Sequence, residues 1–243
     1  RTDEAKELFK SLDAELAIVV AYGKILPDEL LHTPKYGCIN MHASLLPKLR
    51  GAAPIQWAVI TGEKRTGVTS MQMDAGIDTG DMLLSKSVDI GENETAEELH
   101  DRLSVLGAEV MRETISALQA GELHPVKQDD KQSTHAPILT KELSKIDWND
   151  TAQHIHDKIR GLYSWPGATC EFKGKVIKIH SSRLAGECSG KPGEVSESDK
   201  RLVVCCGDGN AVEILVLQAP GKRAMPAVDF LRGNPIEKGA FFE

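Results

Sequence analysis

Residues 16–22 (LAIVVAY) constrain the fold more than any other stretch, because the run is apolar throughout and has the length of one strand. A strand without polar alternation is typical of a parallel sheet that is covered on both faces. Further strand-like stretches alternate with helical ones, which predicts an α/β layered domain with a mostly parallel sheet. The predicted strands are 16–22, 38–41, 68–73 and 82–88, and the predicted helices are 3–12, 53–60 and a long one from Thr95 to about Gly121.

The second half of the chain has a different pattern, since its strand-like stretches are short and separated by turns. About five of them follow Pro166, with turns at 173–174 (KG) and 207–210 (GDGN). Short strands with such turns predict a small barrel or sandwich. Residues 122–150 are rich in polar and turn-forming residues, which is typical of a connecting segment. We therefore predict a catalytic domain over residues 1–121, a linker over 122–150 and a second domain over 151–243.

Composition is that of a globular protein, with 41% hydrophobic and 27% charged residues. No run approaches the roughly 18 apolar residues of a membrane span, and no signal peptide is visible. The five cysteines form no Cys-x-x-Cys pair, which predicts reduced thiols in a cytoplasmic protein. Residues 1–150 carry 16 Lys and Arg against 25 Asp and Glu, a net charge of −9, and residues 151–243 carry 13 against 11, a net of +2. This asymmetry fits a second domain that meets an anion, and it fits ordinary surface variation equally well.

Two polar side chains, Asn40 and His42, stand at the end of the predicted strand 38–41. Their spacing places both on one face of a strand, and Pro47 then ends the strand because proline lacks the N–H donor. Open α/β sheets bind ligands beyond the ends of such strands. An amide can donate to a developing oxyanion, and an imidazole beside a carboxylate can carry a proton near pH 7. With a carboxylate from residues 74–81 (DAGIDTGD), the pattern predicts an acyl-transfer site; a structural histidine and a turn-forming aspartate are the alternative.

Longer strings of residues resemble one family, the folate-dependent formyltransferases. They are NMHASLLP at 40–47, RGAAPIQ at 50–56 and MQMDAGIDTGDM at 71–82, with a looser likeness from IDW at 146–148 to the end of the chain. The resemblance implies a Rossmann-like domain followed by a small OB-like β-barrel that binds transfer RNA over 151–243. It also implies roles for individual residues. The catalytic residues would be Asn40, His42 and Asp78, the folate site would be lined by Ser44, Leu45, Leu46 and Pro47, and residues 22–26 would lie along the pterin.

The reaction implied by the resemblance transfers the formyl group of 10-formyltetrahydrofolate to an amine. In the family members whose sequences are most similar in these stretches, this amine belongs to the methionine of initiator methionyl-tRNA. Asn40 and His42 would donate to the formyl oxygen, and Asp78 would pair with His42. We expect a monomer with no membrane partner, in a bacterial cytoplasm or in an organelle. Set beside the family, about 70 residues that include the opening strands of the doubly wound domain are expected ahead of Arg1.

Several related activities remain as alternatives. Glycinamide ribonucleotide formyltransferase shares the site but lacks a second domain, which argues against it. A formyltransferase acting on a sugar-nucleotide amine and a 10-formyltetrahydrofolate hydrolase both keep a second domain. A relative that binds folate or RNA without catalysis belongs to a different class. Binding without turnover would identify it.

The sequence predicts no metal site. His154 and His156 are two residues apart in a helical segment, so they point to different faces of the helix. The stretch 74–85 resembles a calcium loop, but Thr79 and Ser85 stand where that loop needs glycine and glutamate.

Overall fold

A computed structural model describes residues 2–243, which cluster into two compact units. The first comprises residues 2–55, Arg65–Asp89 and His100–Ile138; the second comprises Gln56–Lys64, Ile90–Leu99 and Leu139–Glu243. The helices are α1 (Asp3–Ser11), α2 (Asp28–Leu31), α3 (Pro54–Ile60), α4 (Ala96–Ala120), α5 (Ala152–Gly161) and α6 (Ala227–Gly233). The strands are β1 (Ala17–Val20), β2 (Cys38–His42), β3 (Arg50–Gly51), β4 (Arg65–Gln72), β5 (Met82–Asp89), β6 (His135–Ala136), β7 (Ala168–Phe172), β8 (Lys175–Glu187), β9 (Val195–Glu197), β10 (Leu202–Cys205), β11 (Asn210–Gln218) and β12 (Met225–Pro226).

The first unit is built on a four-stranded sheet with the order β1-β2-β4-β5. The predicted α/β class is confirmed, and β1 pairs with β2 in the predicted parallel direction. The other two pairings differ from the predicted arrangement, because β4 runs antiparallel to both β2 and β5. The nine residues between β4 and β5 form a short return loop, and strands joined in this way must run in opposite directions.

One buried apolar cluster of the first unit packs between this sheet and α4. Ile39 of β2, Leu83 of β5 and Met111 of α4 are buried together. Partly buried apolar residues pack around them: Leu16, Met41, Ile115, Leu118 and Leu123. The long helix predicted from the sequence thus supplies one layer of this unit, and β2 and β5 supply the other. The prediction that the apolar run 16–22 is covered on both faces is wrong, because β1 alternates partly buried and exposed residues, with Ile18 47% and Val20 62% exposed.

Thr95 and Glu98 cap the start of α4. The Thr95 side-chain oxygen accepts from the Glu98 backbone N–H at 3.2 Å, and the Glu98 carboxylate accepts from the Thr95 N–H at 2.8 Å. These reciprocal bonds satisfy N–H groups that have no partner within the helix. The Thr95 backbone N–H and the Thr95 hydroxyl both donate to the Glu98 carboxylate and lower its pKa, the backbone bond contributing most. The predicted beginning of this helix is therefore confirmed.

The second unit contains an antiparallel sheet with the order β7-β8-β11-β10-β9, and β12 pairs with β11. The predicted series of short strands is present, but the predicted OB-like barrel is not closed. Among the residues that the structure describes, the outer strands β7 and β9 do not pair with each other. The sheet instead buries one apolar cluster against α5 and α6, in which Ile155, Ile159 and Phe230 come from the helices.

Two of the five cysteines correct the prediction of reduced thiols. Cys188 and Cys205 form a disulfide, with their Cα atoms 5.6 Å apart, within the range that such a bond spans. Their separation of 17 residues gave no signal in the sequence, because Cys188, directly after β8, and Cys205, at the end of β10, come together only in the fold. Cys38, Cys170 and Cys206 are free and buried. Across residues 2–243, no helix is long and apolar enough to cross a membrane.

Candidate active site

Strand β2 positions the first two predicted site residues. It lies between β1 and β4, and Asn40 is opposite Val19 on one side and Met71 on the other. Pairing on both sides fixes the orientation of the strand, so alternate residues must point the same way. His42 occupies the last position of β2, opposite Thr69. Asn40 is half-buried, whereas His42 is only 5% exposed.

The chain after β2 forms a tight turn held by side-chain hydroxyls. The Ser44 hydroxyl donates to the Lys48 carbonyl oxygen at 2.6 Å. The Thr69 hydroxyl donates to the Ser44 carbonyl oxygen at 2.7 Å and accepts from the Leu46 N–H at 3.3 Å. Ser44 and Leu46 are therefore buried, while Leu45 and Pro47 remain partly accessible. The four residues predicted for the folate site thus divide into two that support the turn and two that present apolar surface.

The two ring nitrogens of His42 have different neighbours. Nε2 lies 2.9 Å from the carbonyl oxygen of Leu49, which can only accept, so Nε2 carries a proton. Nδ1 faces the carboxylate of Asp78, with 3.6 Å between Nδ1 and Oδ2. The ring is therefore held from both sides, and its second proton position lies between imidazole and carboxylate.

Asp78 joins the predicted residues into one cluster. Its Oδ1 is 3.5 Å from the Asn40 amide nitrogen, and its Oδ2 accepts from the Gly51 N–H at 2.8 Å. Asp78 has a φ of +54°, in the left-handed region that residues with a Cβ rarely occupy. The structure thus brings Asn40, His42 and Asp78 together although Asp78 is 38 residues away from Asn40 in the chain.

Two buried residues beside Asp78 were missed by sequence reasoning. Gln128 donates through Nε2 to the carbonyl oxygens of Asp78 at 2.8 Å and of Gly80 at 2.7 Å. Its Oε1 accepts from Nε of Arg50 at 2.9 Å. Gln128 lies in the segment predicted as a linker, where no motif distinguishes it. Arg50 was noted only as part of a string that resembles the family.

A groove of about 740 Å³ lies in the same unit, along β1 and the loop that follows it. Its lining includes Tyr22, Ile25 and Leu26, from the stretch predicted to lie along the pterin. Neither the Asn40–His42–Asp78 cluster nor the turn at 44–47 contributes to the lining. The predicted folate-site residues are therefore divided between this groove and the turn after β2.

Other reactive groups near β2 do not form a second catalytic centre. Burial raises the pKa of the Cys38 thiol, so this cysteine keeps its proton and is a poor nucleophile.

In the part of the chain that the structure describes, no three His, Cys, Asp or Glu side chains are grouped as metal ligands. Thr79 and Gly76 both donate to Oδ1 of Asp74, which shapes the loop that contains Asp78.

The amide and imidazole of β2 and the carboxylate of Asp78 meet beyond the end of that strand, and they are the kinds of group that acyl transfer uses as oxyanion donor and proton carriers. Comparison with known proteins identifies the family. The family profile described as "Formyl transferase" matches residues 1–115, and the profile "Formyl transferase, C-terminal domain" matches residues 138–235. The chain belongs to the formyl transferase family.

Curated relatives agree with this assignment along nearly the whole chain. The methionyl-tRNA formyltransferase of Caldanaerobacter subterraneus subsp. tengcongensis is 50% identical over 235 residues, covering 96% of this chain and 76% of the relative. The methionyl-tRNA formyltransferase of Geobacter metallireducens is 48% identical over 240 residues, covering 98% of this chain and 76% of the relative.

Solved structures are similar in fold at lower identity. HypX from Aquifex aeolicus, in complex with tetrahydrofolic acid, has a TM-score of 0.70 and 24% identity, covering 99% of this chain and 43% of HypX. WlaRD, a sugar 3N-formyl transferase, has a TM-score of 0.71 and 22% identity, covering 88% of this chain and 77% of WlaRD. The fold is therefore one that formyltransferases share.

Proposed function

We propose that this protein transfers the formyl group of 10-formyltetrahydrofolate to the α-amine of methionine on initiator methionyl-tRNA. The observation that carries the proposal is the convergence of Asn40, His42 and Asp78 at the end of β2. The choice of acceptor follows from the relatives. Those at 48–50% identity are methionyl-tRNA enzymes, whereas the sugar 3N-formyl transferase WlaRD is only 22% identical.

Asn40 is the residue best placed to stabilise the developing negative charge. When an amine attacks a formyl carbon, charge grows on the formyl oxygen, and a prearranged N–H donor lowers the barrier. The Asn40 amide has two N–H groups, and only one is directed at Asp78, across a long 3.5 Å contact. The second N–H remains for the oxygen. His42 is less suited to this task, because its Nε2–H is already used by Leu49.

His42 and Asp78 are placed to handle protons. In formyl transfer the attacking amine must lose one proton, and the departing nitrogen of the donor must gain one. A proton on Nδ1 of His42 would lie between the ring and the Asp78 carboxylate, 3.6 Å apart. Such a pair can take up a proton and release it again without a net change in the enzyme. The Gly51 N–H holds the carboxylate in place meanwhile.

The residues present fit a folate donor at two places. Leu45 and Pro47 offer apolar surface directly after the strand that carries Asn40 and His42. Tyr22 and Ile25, from the stretch expected to lie along the pterin, expose apolar surface after β1. When bound, 10-formyltetrahydrofolate supplies the activated formyl group. No step in this proposal requires a metal.

The transfer-RNA substrate would be met partly by the second half of the chain. Residues 151–243 carry 13 Lys and Arg against 11 Asp and Glu, whereas residues 1–150 are strongly acidic. Contacts to phosphate groups would make the affinity for RNA depend on salt. We place the reaction in the bacterial cytoplasm and expect the protein to act as a monomer. We propose that the catalytic domain ends at residue 121, that a linker follows to residue 150, and that the second domain begins at residue 151.

The proposal is tested with the full-length protein, 10-formyltetrahydrofolate and charged initiator methionyl-tRNA. Formyl-methionine is measured after mild deacylation, and a parallel reaction without RNA is followed for released formate. Formylation that requires the charged RNA is the expected result. Formate released without RNA would identify a hydrolase, and no product in either reaction would contradict the proposed activity.

Variants of His42 test the role of the site in the same assay. We expect His42→Ala to abolish turnover, because it removes the proton carrier, while the affinity for the folate donor stays within about threefold. His32→Ala is the matched control, since His32 is exposed and pairs only with Asp28 at the surface. A His42→Ala enzyme with more than about a tenth of the wild-type rate would refute the assignment.

A further inference from the structure

Gln128 uses nearly all of its hydrogen-bonding capacity around Asp78. The side chain is only 6% exposed. Both N–H groups of its amide have acceptors, the carbonyl oxygens of Asp78 and Gly80 at 2.8 and 2.7 Å. Its oxygen accepts from Nε of Arg50 at 2.9 Å. A glutamine is well suited to this position, because it offers two donors and an acceptor without a charge.

These contacts belong to a closed ring. The Arg50 side chain binds Gln128, and the peptide that follows Arg50 carries the Gly51 N–H, which donates to Oδ2 of Asp78 at 2.8 Å. Gln128 then returns to the main chain of the same aspartate. The ring thus holds both the backbone and the carboxylate of Asp78, from the two ends of the residue.

Asp78 needs such support because its backbone is unfavourable without it. A φ of +54° is uncommon for a residue with a Cβ, although aspartate tolerates it better than most, and the contacts around the residue offset its cost. The turn also packs closely on β4, since a Cβ on Gly80 would overlap the carbonyl oxygen of Gln72. The carboxylate therefore faces Asn40 and His42 only while this turn keeps its shape.

We propose that Gln128 is a positioning residue, which acts with Arg50 to hold the Asp78 carboxylate in register with Asn40 and His42. This inference rests on the proposed function and adds a residue from outside every motif of the site. Gln128 makes no contact with the reacting groups itself. Its effect should therefore appear in the rate of the chemical step and pass through Asp78.

Gln128→Glu is the sharpest test in the full-length protein. It keeps the side-chain length and an oxygen for Arg50, and it replaces both N–H donors by an oxygen that repels the two carbonyls. We expect kcat for formylation to fall by about tenfold to a hundredfold, the range for a small misplacement of a catalytic group. The KM for the folate donor should stay within about threefold. Gln132→Glu is the matched control, because Gln132 is exposed and binds only Asp129.

A double-variant cycle separates positioning from a general structural effect. In an Asp78→Asn enzyme, followed in single turnover, adding Gln128→Glu should lower the residual rate by less than about threefold, since both changes act through one carboxylate. Independent losses that multiply would refute the proposal. If the Gln128→Glu variant does not fold, the uncharged Gln128→Met variant takes its place, with the same expected loss of kcat. If neither variant folds, the proposal that Gln128 positions Asp78 is refuted as well.

The outcomes also distinguish this inference from the proposed function. A wild-type enzyme that forms no formyl-methionine contradicts the proposed function. An active wild type whose Gln128→Glu variant matches Gln132→Glu leaves the function standing and refutes the role of Gln128.

Discussion

The buried ion pair between Arg160 and Asp157 in α5 offers a direct test of what stabilises the second unit against unfolding. Nε and Nη2 of Arg160 both donate to Oδ1 of Asp157, at 2.8 and 2.7 Å. Nη1 donates to the Glu94 carbonyl oxygen at 2.9 Å. The two charged side chains are only 5% and 3% exposed, so water cannot replace either partner.

Replacing Arg160 by Met removes the guanidinium but keeps an apolar stem of similar length. Asp157 then remains buried with Gln153 as its remaining donor, at 3.0 Å. Removing one partner of a buried pair typically lowers the free energy of unfolding by about 3–5 kcal/mol. For a chain of this size each kcal/mol shifts the melting temperature by about 2–4 °C, so we expect a decrease of about 6–20 °C.

Thermal and urea unfolding, followed by circular dichroism, would measure this loss. Arg232→Met is the control, because Arg232 forms a similar 2.9 Å pair with Asp229 but is 79% exposed. That change should alter the free energy of unfolding by less than about 1 kcal/mol. The double variant Arg160→Met/Asp157→Leu should regain much of the loss, since an apolar pair leaves no buried charge. Equal effects of Arg160→Met and Arg232→Met would refute the reasoning.

Two further predictions concern stability. Burial lowers the pKa of His156 from 6.5, and the positive charges of Arg160 and Lys64 lower it further. The hydrogen bond to the Glu92 carbonyl oxygen and the charge of Asp157 oppose this shift. As the pH falls, the unfolded chain therefore binds a proton at His156 before the folded chain does, and the free energy of unfolding should decrease below about pH 6.5. His156→Gln should weaken this pH dependence in thermal melts between about pH 7.5 and 5.5. An unchanged dependence on pH would contradict the prediction. Thr95→Ala removes the cap of α4 and should lower the free energy of unfolding, measured by urea titration, by about 0.5–2 kcal/mol. An unchanged free energy of unfolding would show that the cap does not stabilise the protein.

Several elements were predictable because their signals are local. The beginning of α4 at Thr95 and the strand predicted over 38–41 each depend on residues within one or two turns of the chain. The spacing of Asn40 and His42 was sufficient to place both on one face, since side chains alternate along every strand. Assigning Asp78 rather than Asp74 or Asp81 required the resemblance to the family.

Strand pairing was less predictable. Whether β4 runs parallel or antiparallel to β2 depends on how the chain returns, and apolar patterning is the same in both cases. Closure of the second sheet depends on whether β7 and β9 meet, which the number of short strands does not determine. The Cys188–Cys205 disulfide depends on the same long-range geometry.

The sequence by itself determined the α/β class of the first unit, the position of Asn40 and His42 on one strand, and the family. These properties follow from local periodicity and from strings of residues that neighbouring positions specify. Only the tertiary structure decided that Gln128, in a segment that reads as a linker, lies under the turn of Asp78 and closes a ring with Arg50. A glutamine amide can bind almost any polar group, so its partners are set by which distant segments the packing brings within hydrogen-bonding distance.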